Sequence, residues 1–162
     1  MSSNPEISTD SPFVVEKDRL VKLQNTASFF TELRTIEPIS SVYYPGPGLD
    51  DSLNDVFSPS EITYVDRTPH FTNITQGDFR TVNFPSGKFD AVFIQDIHEQ
   101  PKDIVEFVRI LRKNGILVYG LYGCGMESRG STSFDHVHQM PSLREEELLK
   151  GWSKLFRTFR KV

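Results

Sequence analysis

The chain has 162 residues, 37% of them hydrophobic and 25% charged, which fits one ordinary globular core rather than several. A formal net charge of -4 excludes a broad phosphate-binding surface, which requires an excess of Lys and Arg, so nucleic acid is not an expected partner. No apolar run approaches the roughly 20 residues that span a bilayer, and the N-terminus lacks the basic-then-apolar order of a signal peptide, so no membrane partner and a cytoplasmic location are expected.

Met1 to Pro12 hold Ser, Asn, Pro, Glu and Asp with almost nothing to bury, and are expected to form a disordered tail ahead of a single domain over residues 13–162. From Phe13 to about Arg34, Leu20, Leu23, Ala27, Phe30 and Leu33 recur at three- and four-residue steps, which predicts an amphipathic helix that Pro38 stops. Ser41 to Tyr44 is a β-prone run that ends in Pro45-Gly46-Pro47-Gly48, a strand followed by a turn. Leu53, Val56 and Phe57 then sit at helical spacing, with Asp50 or Asp51 as the cap, and predict a short helix.

Ile62 to Val65 predicts a second strand with Asp66 at its C-terminal end. The interval from Asp66 to Asp78 is too short for a full helical crossover and a third strand, so a shortened unit is expected there. Lys88 to Ile94 is a continuous apolar run of the kind parallel sheets bury on both faces. Ile104, Phe107, Val108 and Leu111 mark a helix over Lys102 to Lys113, with Asn114-Gly115 as its left-handed stop and Gly115 as the C-cap.

Ile116 to Tyr119 predicts the next buried strand, leading into a turn with Gly120, Gly123 and Gly125. Ser142 and Glu145 form a capping-box pattern ahead of Leu148, Leu149, Trp152 and Leu155, which predicts a last helix, and Phe156 to Val162 reads as a final edge strand. The basic run Lys150, Lys154, Arg157, Arg160 and Lys161 reads as a solvated face. Strands alternating with helices predict an α/β, doubly wound, mostly parallel sheet, shortened after the second strand and at the C-terminus.

Ligands of open parallel sheets bind beyond the C-terminal ends of the strands, which directs attention to Pro45 to Asp50, Asp66, Asp78 and Gln95 to His98. Gly46 and Gly48 let backbone approach a ligand, and Asp66 can accept hydrogen bonds from ribose hydroxyls; a plain proline-glycine turn explains the glycines equally well. A closing glycine is missing from Gly46-Pro47-Gly48-Leu49-Asp50-Asp51, which ranks a nicotinamide cofactor third. His136 and His138 with Asp135 match no standard zinc spacing, so no metal is expected, and Cys124 reads as structural or incidental.

Three runs carry a resemblance: Gly77-Asp78-Phe79, then Asn83 to Phe93 with Phe89-Asp90, then Arg109-Ile110-Leu111-Arg112-Lys113-Asn114-Gly115. Together, over about Ser41 to Gly120, they resemble the class I S-adenosylmethionine-dependent methyltransferases, whose Rossmann-like fold and cofactor the resemblance therefore implies. It places Gly46 and Gly48 at the methionine part of the cofactor, Asp66 at its ribose, and Asp78 with Phe79 at its adenine, with Asp50 and Gln95 as further cofactor residues. Asp96 and His98 lie where substrates of the family approach, and are the candidate bases.

The departures from the family lie in the glycine loop. Tyr44 stands where the family commonly has an acid, Asp50 stands where its third glycine belongs, and Pro45 and Pro47 remove two backbone donors. Two functions are therefore carried forward: a methyltransferase acting on an unnamed acceptor, and a noncatalytic protein of the same fold serving as a binding or interaction module. A homodimer is compatible with either.

Overall fold

The computed structural model describes residues 12–121 and 136–162. Helix α1 (Pro12–Ile36) is the first described element, with a proline in its first turn where a missing N–H costs nothing. It ends where Pro38 cannot continue it, and Glu37 N–H closes the last turn on Leu33 O at 2.9 Å. The buried stripe is Thr26, Phe29, Phe30 and Leu33, whereas Leu20 is exposed, so the predicted apolar face holds only in the second half of the helix.

Seven strands form one sheet: β1 (Val42–Pro45), β2 (Ile62–Asp66), β3 (Ile74–Gln76), β4 (Phe89–Ile94), β5 (Leu111–Gly120), β6 (Leu143–Glu145) and β7 (Phe156–Lys161). Their order is β3-β2-β1-β4-β5-β7-β6. The first five are mutually parallel, and β7 runs antiparallel to β5 and β6. Alternate residues face opposite sides, as the period of two requires. Val42, Tyr44, Ala91, Phe93, Ile116 and Val118 meet Phe29, Phe30 and Leu33 of α1. Tyr43, Val92, Ile94, Leu117 and Tyr119 meet helix α2 (Pro101–Ile110) through Ile104, Phe107 and Val108. This is the expected Rossmann-like sheet, with α1 against one face and α2 against the other.

The unit after Asp66 is shortened as expected: residues 67–73 hold no helix, and Phe71 covers Tyr64 edge-on at 5.0 Å. The predicted short helix after the glycine turn is a 3-10 turn over Ser52–Asp55. Three expectations are corrected. Helix α2 stops at Ile110, and Gly115 is not its cap but lies within β5. Pairing there jumps from Phe89–Leu111 to Ala91–Ile116, and Asn114, at φ 67°, takes the left-handed conformation.

The capping-box reading of Ser142 and Glu145 fails because tertiary partners claim that segment. Leu143–Glu145 pairs with β7, and the Glu145 carboxylate accepts from Arg157 at 2.8 Å rather than from a helix N-terminus. Leu148, Leu149, Trp152 and Leu155 pack on the sheet from turns instead of a helix. The last strand is also not an edge, since β7 lies between β5 and β6. The predicted tail up to residue 11, the glycine turn at Gly123 and Gly125, Cys124 and Asp135 lie outside the described residues, while Pro12 belongs to α1.

Candidate functional site

The parallel strands end together on one side of the sheet, and a crevice of about 380 Å³ opens there. Its walls come from four successive strand ends: Gly46 and Gly48 after β1, Asp66 to Thr68 after β2, Gly77 to Arg80 after β3, and Asp96 to His98 after β4. Its size is near the lower end of small-molecule sites, which run from roughly 300 to 1,000 Å³. Seven residues singled out in the sequence line it: Gly46, Gly48, Asp66, Asp78, Phe79, Asp96 and His98.

Asp66 and Asp78, at the ends of β2 and β3, line one end of it. Asp66 accepts from Gly48 N–H at 2.9 Å on one oxygen and from Thr68 N–H at 3.2 Å on the other. An ionised carboxylate offers about four lone-pair sites, so each Asp66 oxygen keeps acceptor capacity beyond these two bonds. Asp78 is arranged alike, accepting from Arg80 N–H and from the Arg67 guanidinium, each at 2.9 Å. The Arg80 N–H bond and then Arg67 hold its carboxyl below the usual range, so it is ionised at neutral pH.

The other end, below the glycine loop, is more crowded. Gly46 and Gly48 have φ values of 59° and 61°, the left-handed region that favours glycine. Gly46 N–H donates to Val65 O at 2.8 Å and Gly48 N–H to Asp66, while Pro45 and Pro47 have no N–H. The turn over residues 45–48 thus has both of its donors already engaged. Ile97 packs against it so closely that a Cβ on Gly46 would lie 2.4 Å from Ile97 Cγ2.

Two sequence candidates sit elsewhere. Asp50 is 3% exposed and lies beneath the loop rather than in the crevice wall. It accepts from Tyr44 Oη at 2.6 Å, Ser52 N–H at 3.0 Å and Gln95 Nε2 at 3.4 Å. Asp50, expected at the cofactor, thus has its oxygens turned to internal donors and fastens the loop. Gln95, the other candidate, is fully buried beside it and donates to it through Nε2. Burial, followed by the Asp50 charge and hydrogen bond, holds the Tyr44 hydroxyl far above its ordinary pKa, so Tyr44 is a donor here and cannot substitute for an acid.

Arg67, Arg80 and Lys22 are residues at or beside the crevice that the sequence did not single out. Arg67 and Arg80 were within reach, each lying one or two positions after a predicted acid. Lys22 had no local signal: it comes from α1 to meet Asp96 at 2.7 Å across 74 positions of sequence. The Phe79 ring packs near-parallel to Phe107 and carries the Arg80 guanidinium over it at 4.5 Å. His138 bonds Glu145 at 2.7 Å, away from the crevice, and among the described residues no group of three His, Cys, Asp or Glu could hold a metal.

Residues 54–119 match a family described as "Methyltransferase domain", a match that begins just after the glycine loop and ends within β5. Among solved structures, the N-methyltransferase NodS from Bradyrhizobium japonicum WM9 is similar at 18% identity and TM-score 0.61, over 94% of this chain and 98% of that one. A methyltransferase from Geobacter sulfurreducens is similar at 15% identity and TM-score 0.60, over 99% and 97%. The tRNA (m1A58) methyltransferase TrmI from Aquifex aeolicus is similar at 13% identity and TM-score 0.55, over 85% and 68%. No curated protein matches the chain in sequence. The sheet order and these shared folds give the chain a Rossmann-like fold of the kind seen in methyltransferases, and its middle segment matches the methyltransferase domain model, with the unusual glycine loop lying just ahead of the match.

Proposed function

We propose that the chain binds S-adenosylmethionine in the crevice, held mainly by its adenosine half, and catalyses methyl transfer to an acceptor that arrives over the loop after β4. The observation that carries this reading is the pair Asp66 and Asp78 at adjacent strand ends, each with acceptor capacity to spare. Asp66 is assigned to the ribose hydroxyls, and Asp78 with the Phe79 segment to the adenine.

The cofactor supplies a methyl group already activated on a sulfonium, so the protein's main task is alignment. Asp96 and His98 border the crevice on the acceptor side. Lys22 fixes the Asp96 carboxylate at 2.7 Å, and either side chain offers a proton acceptor where the nucleophile must lose one.

Isothermal titration with S-adenosylmethionine and S-adenosylhomocysteine tests the reading. Both ligands should bind, adenosine alone should retain most of the affinity, and Asp66→Ala should abolish binding. No heat with either ligand at millimolar concentration refutes cofactor binding and leaves the noncatalytic module, a reading favoured by the engaged donors of the turn over residues 45–48. Unchanged affinity in Asp66→Ala refutes the ribose assignment.

A further inference from the structure

The Arg80 side chain links two cavities. It lines the main crevice together with Phe79, and the same two residues line a neighbouring hollow of about 220 Å³ bounded by Lys102, Asp103, Glu106 and Phe107. Its guanidinium is fixed there: Nε donates to Asp103 at 3.2 Å, and Nη2 donates to His98 O at 2.8 Å. Asp103 is itself held by the N-terminal capping box of α2, through the Gln100 N–H at 2.8 Å. One side of the guanidinium rests over the Phe79 ring, yet the side chain remains 32% exposed.

From this arrangement we infer that Arg80, not Phe79, is the flat platform on which the purine base of the ligand stacks. The inference rests on the adenosine reading of the crevice and adds a specificity residue to it. The Phe79 ring is already covered by Arg80 and packed on Phe107, so a base entering beside Asp78 meets the guanidinium first. A guanidinium is planar and stacks on aromatic faces, whereas a lysine ammonium is a compact point charge that offers no such surface. Hydrogen bonds to Asp103 and His98 O preorganise the plane, so little side-chain freedom remains to be lost when the base arrives.

The test compares S-adenosylhomocysteine and adenosine binding by titration calorimetry in wild type, Arg80→Ala, Arg80→Lys and Arg80→Tyr. Arg80→Ala and Arg80→Lys should weaken both ligands about tenfold and by equal factors, as loss of one stacking contact implies. Arg80→Tyr, which restores a flat surface without the ion pair to Asp103, should recover most of the affinity; a purely structural role for that ion pair would not be rescued in this way. Wild-type affinity in Arg80→Ala, or affinity preserved in Arg80→Lys and lost in Arg80→Tyr, overturns the platform while leaving the adenosine reading intact. Failure of the wild-type protein to bind either ligand overturns both.

Discussion

Gly46 and Gly48 form a matched pair of probes for the loop. Both are left-handed, at φ 59° and 61°, so an alanine at either meets the same backbone penalty of roughly 1–2 kcal/mol. They differ in what the new Cβ touches: at Gly48 nothing lies within 4 Å, whereas at Gly46 the Ile97 Cγ2 would be 2.4 Å away. Overpacking of that kind adds about 1–3 kcal/mol. Gly48→Ala should therefore cost roughly 1–2 kcal/mol and Gly46→Ala about 2–5 kcal/mol. Urea denaturation measures both, and at roughly 2–4 °C per kcal/mol the two variants should melt several degrees apart. Pairing Gly46→Ala with Ile97→Ala should remove the difference, because only the steric part depends on Ile97. Equal stability of the two single variants would show that Ile97 does not press on the loop.

Ile97→Ala should also widen the crowded end of the crevice, raising affinity for S-adenosylmethionine relative to adenosine; an unchanged ratio by calorimetry argues against crowding as the obstacle. Asp50→Ala should lower stability by about 2–3 kcal/mol in thermal denaturation, since it leaves the buried Tyr44 hydroxyl and Ser52 N–H without their acceptor. Arg157 holds the Glu145 carboxyl, and Arg160 with Arg144 the Glu146 carboxyl, below their ordinary range. Because the folded-state values are depressed, the stability these groups contribute is present above about pH 4.5 and is lost as pH falls through the folded values. Glu146→Gln should accordingly flatten the acid side of a stability-against-pH curve, and an unchanged slope would count against the Arg160 linkage.

The strands were legible because they are buried on both faces, and Lys88 to Ile94 or Ile116 to Tyr119 have no other way to hide a continuous apolar run. The shortened unit after Asp66 followed from chain length alone. Elements whose ends depend on distant partners were misread. Ser142 and Glu145 carry a capping pattern, yet pairing with β7 and the Arg157 ion pair outweigh a local preference of about 1 kcal/mol. Thr26, polar in a hydrophobic count, belongs to the buried stripe of α1 because its hydroxyl bonds Lys22 O at 2.9 Å. That Asp66, Asp78, Asp96 and His98 line one crevice was legible from position along the sheet, since strand ends converge by topology. Side-chain direction was not legible, and so Asp50 was expected beside the ligand rather than beneath the loop.

The loop's departures from the family pattern form one connected system. Replacing the family's acid with Tyr44 removes a carboxylate from the methionine end, and the acid at Asp50 is turned inward to accept the Tyr44 hydroxyl. The two prolines then leave Gly46 and Gly48 as the only backbone donors over residues 45–48, and these are bound to Val65 O and to Asp66. A turn fastened in this way keeps its shape without a ligand and has no free N–H with which to meet a carboxylate. On the proposed function, affinity then comes from the other end of the crevice, which Asp66, Asp78 and Arg80 line. The proposed reading therefore predicts selectivity for the adenosine half over the amino-acid half, and equal affinity for S-adenosylhomocysteine and for free methionine would refute it.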